Sequence, residues 1–409
     1  MEFIFGFWEL NRGKILCWID RLILTGFCVL IFFLPIAHTE AVRAFSFGIP
    51  LGLWILKMAL QRRWLVRRTP LDLPILLFTG AAALSLVTAV DFRYSLEEFT
   101  GEWLTGVILF YLLANNFREE WLKPILGALI LANLLIVVYG WYDFFRQGGT
   151  LFDYQVRAGS LHYIAGALAT YLATVLPLFW VGLFACPGAA GRAVAALLLL
   201  ANLFTLYLTH VRGAWVAALA VGLLVCVKFR SQKTALVLIG IAAAIVLLIA
   251  PQGTLIHHAP LENADSQEAR IDTARARWEV WKFSWERLRE SPLQMLGFGR
   301  RSFVKRYPEF YEKYKGALLW HAHNTFLNVG LQTGVQGLVL FLFLVFKLLK
   351  FTYRRAELEG EPLKKVFLFA VFFMVISFFG RNLWDDFFVD DSALLFWLLS
   401  GAAVALEKG

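Results

Sequence analysis

Apolar residues recur along this chain in long, nearly uninterrupted runs separated by short polar stretches. A helix needs about 20 mainly apolar residues to cross a bilayer, and about twelve segments approach that length. They are 15–36, 42–60, 71–90, 99–115, 124–142, 161–185, 193–210, 214–228, 234–250, 322–346, 366–379 and 392–406. The runs are continuous rather than alternating, which predicts helices and disfavours a β-barrel. The first run is too long for the apolar core of a signal peptide, and no small-residue cleavage site follows it, so it reads as a span. The pattern predicts an all-α polytopic membrane protein with about twelve transmembrane helices.

Composition agrees. Hydrophobic residues make up 59% and charged residues 17%. A soluble chain carries roughly 45–50% apolar and about 25% charged residues. This excludes a soluble enzyme, a disordered chain and a small disulfide-stapled domain. Cys17, Cys28, Cys186 and Cys226 are scattered singly, a pattern that speaks against structural zinc or a disulfide framework. The net charge of +9 fits basic cytoplasmic loops beside anionic headgroups better than it fits nucleic acid.

The basic residues also set an orientation. With both termini cytoplasmic, the inner segments hold about 20 Lys and Arg and the short outer loops about 6. Arg62, Arg63, Arg67 and Arg68 fall in one inner loop, and Lys347, Lys350, Arg354, Arg355, Lys364 and Lys365 in another. One outer loop, 251–320, is far longer than the rest. It divides the chain into spans one to nine (1–250), the loop (251–320) and spans ten to twelve (321–409). A long ordered loop is usually functional, so chemistry is expected there. Within it, 268–290 has helical periodicity. Ile271, Ala274, Trp278, Trp281, Trp285 and Leu288 form one stripe, flanked by Arg270 and Arg277 on one edge and Arg275, Lys282 and Arg289 on the other. Three tryptophans with basic edges suit a helix at the membrane interface, or one packed on its neighbours.

Polar residues that could carry chemistry collect at the outer ends of the spans. They are Arg157–His162, Thr209–Trp215, the glycine-bearing turn Leu296–Arg300, Trp320–Leu327, and the segment Gly380-Arg381-Asn382-Leu383-Trp384-Asp385-Asp386. A boundary histidine can be neutral and take a proton from a hydroxyl. His321 and His323 are two apart, about 200° on a helix, so they are expected to do different jobs. Metal ligation with Asp385 or Asp386 is the competing reading, and no helical histidine spacing supports it. Arg212 sits where a charge is expensive and needs a partner, either a phosphate or the headgroups to which it snorkels. Together these clusters suggest a cationic pocket with a base at the outer leaflet.

His323-Asn324, nine residues, Gly334, two residues, Gly337 resembles the signature of the bacterial O-antigen ligase family. The wider resemblance runs from about 157 to 345 and includes Arg157-Ala-Gly-Ser, Leu176-Pro177-Leu178 and Thr-x-x-Arg-Gly-Ala-Trp around Arg212. It continues through Arg277-Trp278-Glu279-Val280-Trp281, Ser291-Pro292 and Gly297-Phe298-Gly299. The first 150 residues are similar only in hydropathy. The resemblance implies a GT-C-like, metal-independent glycosyltransferase of the bacterial inner membrane, with its site facing the periplasm and no cofactor. It implies transfer of a glycan from undecaprenyl diphosphate to a sugar hydroxyl of lipid A–core. His323 takes the place of the general base, and Arg212 and Arg277 those of the diphosphate-binding arginines. Arg157, Arg270, Arg300, His321, Asn324, Asp385 and Asp386 are the expected substrate contacts. A single base opposite the leaving group predicts inversion. O-antigen or exopolysaccharide polymerases and protein oligosaccharyltransferases are similar at this level. One large outer loop favours ligation over polymerisation. A transporter would show paired broken helices at mid-membrane, and the sequence shows none.

Overall fold

The computed structural model of the protein describes residues 2–151, 156–162, 164–230, 273–314 and 319–408. Among the described residues it is helical, without strands. Helix α1 (Glu2–Phe33) turns through residues 34–39 into α2 (Glu40–Gln61). Then come α3 (Asp72–Ser85) and a continuous rod made of α4 (Phe92–Glu98), a π-helical segment (Phe99–Leu104) and α5 (Thr105–Asn116). Helices α6 (Leu122–Arg146), α7 (Ala165–Ala185), α8 (Ala189–Leu208) and α9 (Arg212–Lys228) follow.

After residues 231–272, α10 (Thr273–Glu290) and the short α11 (Ser302–Arg306) and α12 (Pro308–Lys313) form the outer segment. The last three helices are α13 (Thr325–Leu358), α14 (Pro362–Asn382) and α15 (Asp390–Ala405). Helices stand at every expected span except 234–250, which lies outside the described residues. Seven are long and apolar enough to cross a membrane, and α3, at 14 residues, is a shorter apolar helix.

Helices α7 and α14 sit at the centre and are the most buried of the long helices. Outward positions such as Leu76, Leu131, Leu197, Val216, Val339 and Phe346 are exposed although apolar. That girdle is what lipid tails require, because a bilayer core offers backbone and side chains no water. Two inner amides are paired across helices. Asn133 of α6 and Asn202 of α8 exchange amide hydrogen bonds at 2.8 and 2.9 Å. Two-sided amide pairs of this kind join helices without leaving a donor unmet.

Links between non-adjacent loops fall at opposite ends of the bundle. At one end Ala37 N–H donates to Leu161 O, Ala158 N–H to Leu208 O, and Val90 N–H to Leu296 O. At the other, Lys57 pairs with Asp20, Lys364 with Glu119 and Lys228 with Glu357. The histidines lie at the first end.

Helix α10 presents a different face from the one its tryptophans suggest. Ala276, Val280, Ser284 and Leu288 are its buried stripe, in a small core with Leu296, Phe303, Tyr307 and Leu331, while Trp278 and Trp285 are 63% and 62% exposed. Small residues let the helix approach its neighbours closely, so the indoles turn outward. Ile271 and Arg270 lie outside the described residues.

Candidate active site

Residues 319–324 reach α13 in irregular backbone, and His323 adopts a left-handed conformation (φ 46°). Asn324 then starts the helix. Its Oδ1 accepts the N–H groups of Phe326 and Leu327 at 2.9 and 3.1 Å, satisfying donors that a helix start leaves unpaired. Its Nδ2 donates to Leu383 O at 2.9 Å. The expected substrate contact is therefore a cap and a tether, with its amide committed to backbone.

Because the helix begins after the histidines, the wide helical separation expected of them does not arise. Their rings stack at 3.9 Å between centroids and 28° between planes. His323 N–H donates to His321 Nδ1 at 3.0 Å, so that nitrogen is an acceptor and the ring carries its proton on Nε2. Burial, and then the neighbouring His323, push His321 well below the ordinary imidazole range. It stays neutral and shapes the backbone under His323.

Asp385 faces His323. Its Oδ1 lies 3.0 Å from His323 Nδ1, and its Oδ2 lies 3.3 Å from Arg381 Nη2 and 3.4 Å from Arg277 Nη2. Burial alone would raise this carboxyl. The His323 bond and the charges of Arg381 and Arg277 outweigh it and hold Asp385 well below the carboxylate range. An ionised Asp385 favours the proton on His323 Nδ1, which leaves the lone pair on Nε2. Asp386 has another task. Its Oδ1 accepts Thr325 Oγ1–H at 2.6 Å and its Oδ2 accepts Asn328 Nδ2–H at 2.6 Å. It is buried and locks the 383–389 turn onto the start of α13.

The glycines of the signature act at one remove. Gly334 breaks α13 with φ 74° and ψ 172°. Leu331 O and Gln332 O there accept the N–H groups of Leu296 and Gly297 at 3.0 and 3.2 Å, and Val335 N–H donates to Pro292 O at 2.8 Å. The broken ladder thus holds the outer segment onto the membrane helix. Trp281 of α10 donates Nε1–H to His323 O at 3.2 Å and packs on Trp384, which in turn lies against Gly213 of α9. Three elements distant in sequence converge on the histidine loop through two indoles.

A cavity of about 740 Å³ opens in front of His321, His323, Asp385 and Asp386 and reaches Glu40, His162 and Tyr171. Its charge differs from the cationic pocket the sequence suggests. Among the described residues, Glu40, Glu102, Asp390 and Asp391 line it with the two site aspartates, against Arg43 and Arg300 as fixed cations. Arg300 holds Asp386 O at 3.0 Å and Asp390 at 3.6 Å. Arg212 and Arg157 are exposed and do not line the cavity; Arg212 is the first residue of α9, beside the Gly213–Trp384 contact. Arg277 reaches the site through Asp385. Arg270 lies outside the described residues.

His321, His323 and Asp385 place one ligand atom each within 4.8 Å of one another, the geometry of a possible metal site. The surroundings oppose a cation. His321 Nδ1 already accepts a backbone N–H, and Asp385 is shared by two guanidinium groups. A divalent ion there would meet Arg277 and Arg381 at close range.

Sequence reasoning missed Arg381 as a site residue. It is fully buried, and its i, i+4 spacing to Asp385 was the available signal. Thr325 and Asn328 were missed as well, because nothing local marks a residue that cages a carboxylate.

The fold and this site define a polytopic membrane protein with a histidine–aspartate–arginine cluster at one end of its helix bundle. Residues 193–342, rather more than a third of the chain, match the family model described as O-antigen ligase. The chain is also similar to provisionally named polysaccharide ligases of three rickettsiae. Identity is 27% over 148 residues with the protein of Rickettsia conorii, covering 35% of this chain and 33% of the relative. It is 28% over 145 residues with that of Rickettsia bellii, covering 33% of this chain and 35% of the relative. It is 26% over 137 residues with that of Rickettsia typhi, covering 32% and 30%. Each match thus spans about a third of the relative's length.

Proposed function

We propose that the protein transfers a glycan from undecaprenyl diphosphate to a sugar hydroxyl of lipid A–core at the periplasmic face of the inner membrane. His323 is the general base, and no metal takes part. The observation that carries this reading is the His323–Asp385 pair at 3.0 Å on the wall of a 740 Å³ cavity. The family match and the similarity to polysaccharide ligases support the class of reaction.

The charge distribution supports different sides for the two substrates. Carboxylates accept short, strong hydrogen bonds from hydroxyls and repel phosphates. The acidic cavity therefore suits the acceptor sugar. The diphosphate belongs on the arginine side, with Arg277 and, beyond the Trp384 contact, Arg212. The acceptor O–H gives its proton to His323 Nε2 as its oxygen forms the bond to the anomeric carbon. The bond from that carbon to phosphate breaks, and its electron pair leaves on the diphosphate, where guanidinium groups stabilise the charge. Attack from the cavity side opposite the leaving group inverts the anomeric centre.

The test is transfer by purified protein, followed by NMR of the new glycosidic bond. Inversion is expected; a retained configuration would require a glycosyl-enzyme intermediate and contradict the mechanism. His323→Gln should lower turnover at least about 10²-fold with the protein still folded in the membrane. Near-normal turnover would remove His323 as the base. Arg277→Ala should cost about 2–5 kcal/mol of transition-state stabilisation, and Lys should restore only part, because a point charge cannot reproduce the guanidinium fork. Full rescue by Lys in rate measurements would contradict phosphate recognition by the fork.

A further inference from the structure

At the end of the bundle opposite the histidines, a second cavity of about 480 Å³ lies between the ends of α2 and α5 and the last residues of α15. Lys57, Arg67 and Arg118 line it. Asp20 of α1 holds two of these cations in place, with Lys57 Nζ at 2.6 Å and Arg118 as its second partner. The third is placed by backbone, since Arg67 N–H donates to Asn115 Oδ1 at 2.7 Å. The lining acid, Glu119, is paired with Lys364. Three cations thus converge on one concavity, with one buried carboxylate positioning two of them.

The rest of the lining combines the amides of Gln61, Asn115 and Asn116 with an apolar wall that includes Leu65 and Ala405. Phe117 and Leu406 form part of the wall, and on the same loop as Arg67 the indole of Trp64 is 80% exposed. Exposed tryptophan beside arginine marks headgroup depth in a membrane protein. Basic pockets between transmembrane helices on the cytoplasmic side bind anionic headgroups. We propose that this cavity is a binding site for an anionic phospholipid of the inner leaflet. Its phosphodiester would lie among Lys57, Arg67 and Arg118, and its acyl chains would leave along the apolar wall. The site is separate from the transfer chemistry and stands whether or not that reading holds.

Native mass spectrometry of the full chain, released from micelles doped with phosphatidylglycerol or phosphatidylcholine, tests it. One phosphatidylglycerol should stay bound in preference to phosphatidylcholine. Arg67→Glu removes one cation and adds one anion while keeping the backbone bond to Asn115. It should weaken retention about twenty-five-fold, at roughly fivefold per charge. Arg192→Glu, an exposed charge on α8 outside this cavity, should leave retention unchanged. Equal retention of both lipids would overturn the proposal. So would an equal loss in both variants, which would mean unlocalised surface charge. Inorganic phosphate displacing the lipid at equal concentration would make it a site for a free anion instead.

Discussion

Arg381 is the largest charged side chain fully withdrawn from solvent, and Asp385 is its ion-pair partner. Removing one member of a buried pair costs about 3–5 kcal/mol, because the other charge is stranded. Asp385→Asn should therefore lower stability by that order and, per folded molecule, cut turnover by about 10²–10⁴, since the amide no longer fixes the His323 tautomer. Denaturation and single-turnover measurements separate the two effects; full turnover in the folded variant would show that Asp385 is structural only. His321 gives a pH signature. Its pKa in the folded protein lies below its unfolded value, so below about pH 6.5 the unfolded chain takes up a proton that the folded protein refuses. Stability should fall as pH drops from 6.5, and His321→Asn should flatten that slope in thermal melts. An unchanged slope would mean that the ring is not held neutral. Asp385 acts in the same direction at lower pH. Its depressed pKa adds stability above the ordinary carboxylate range, lost only as pH falls well below it.

Among the elements, α13 and the 292–300 segment form the joint on which the site depends. Gly297 has φ 97°, and a Cβ there would lie 2.5 Å from both Ala89 Cβ and Ser95 Oγ. Gly297→Ala should destabilise the joint by about 1–3 kcal/mol and raise hydrogen exchange across 292–300. Unchanged exchange would show that the close approach is not required. The long helices were legible because hydropathy reports burial in lipid directly, and the runs at 42–60 and 124–142 match α2 and α6 within a few residues. The signature His323-Asn324-x9-Gly334 was legible as a motif, but its parts were not legible as roles. Asn324 reads as a ligand and is a cap, and Gly334, a bare motif position in the sequence, is the break that docks the outer segment. The buried stripe of α10 is not legible from hydrophobicity, which favours tryptophan, because close packing selects Ala276, Val280 and Ser284.

The whole molecule places the His323–Asp385 pair and an acidic cavity at one end of the bundle and a basic cavity at the other. The orientation we propose, with the basic loops on the cytoplasmic side, turns the histidine end toward the periplasm. The sequence could not give the acidic cavity, because Glu40, Glu102, Asp390 and Asp391 come from three separate elements and none belongs to a motif. The most direct test offers purified protein in lipid nanodiscs an undecaprenyl-diphosphate glycan, with lipid A–core in one tube and no second acceptor in another, both in EDTA. The account predicts glycan on lipid A–core, undiminished by EDTA and absent with His323→Ala. Chains that lengthen on the donor alone, or transfer that stops in EDTA or survives His323→Ala, would contradict it.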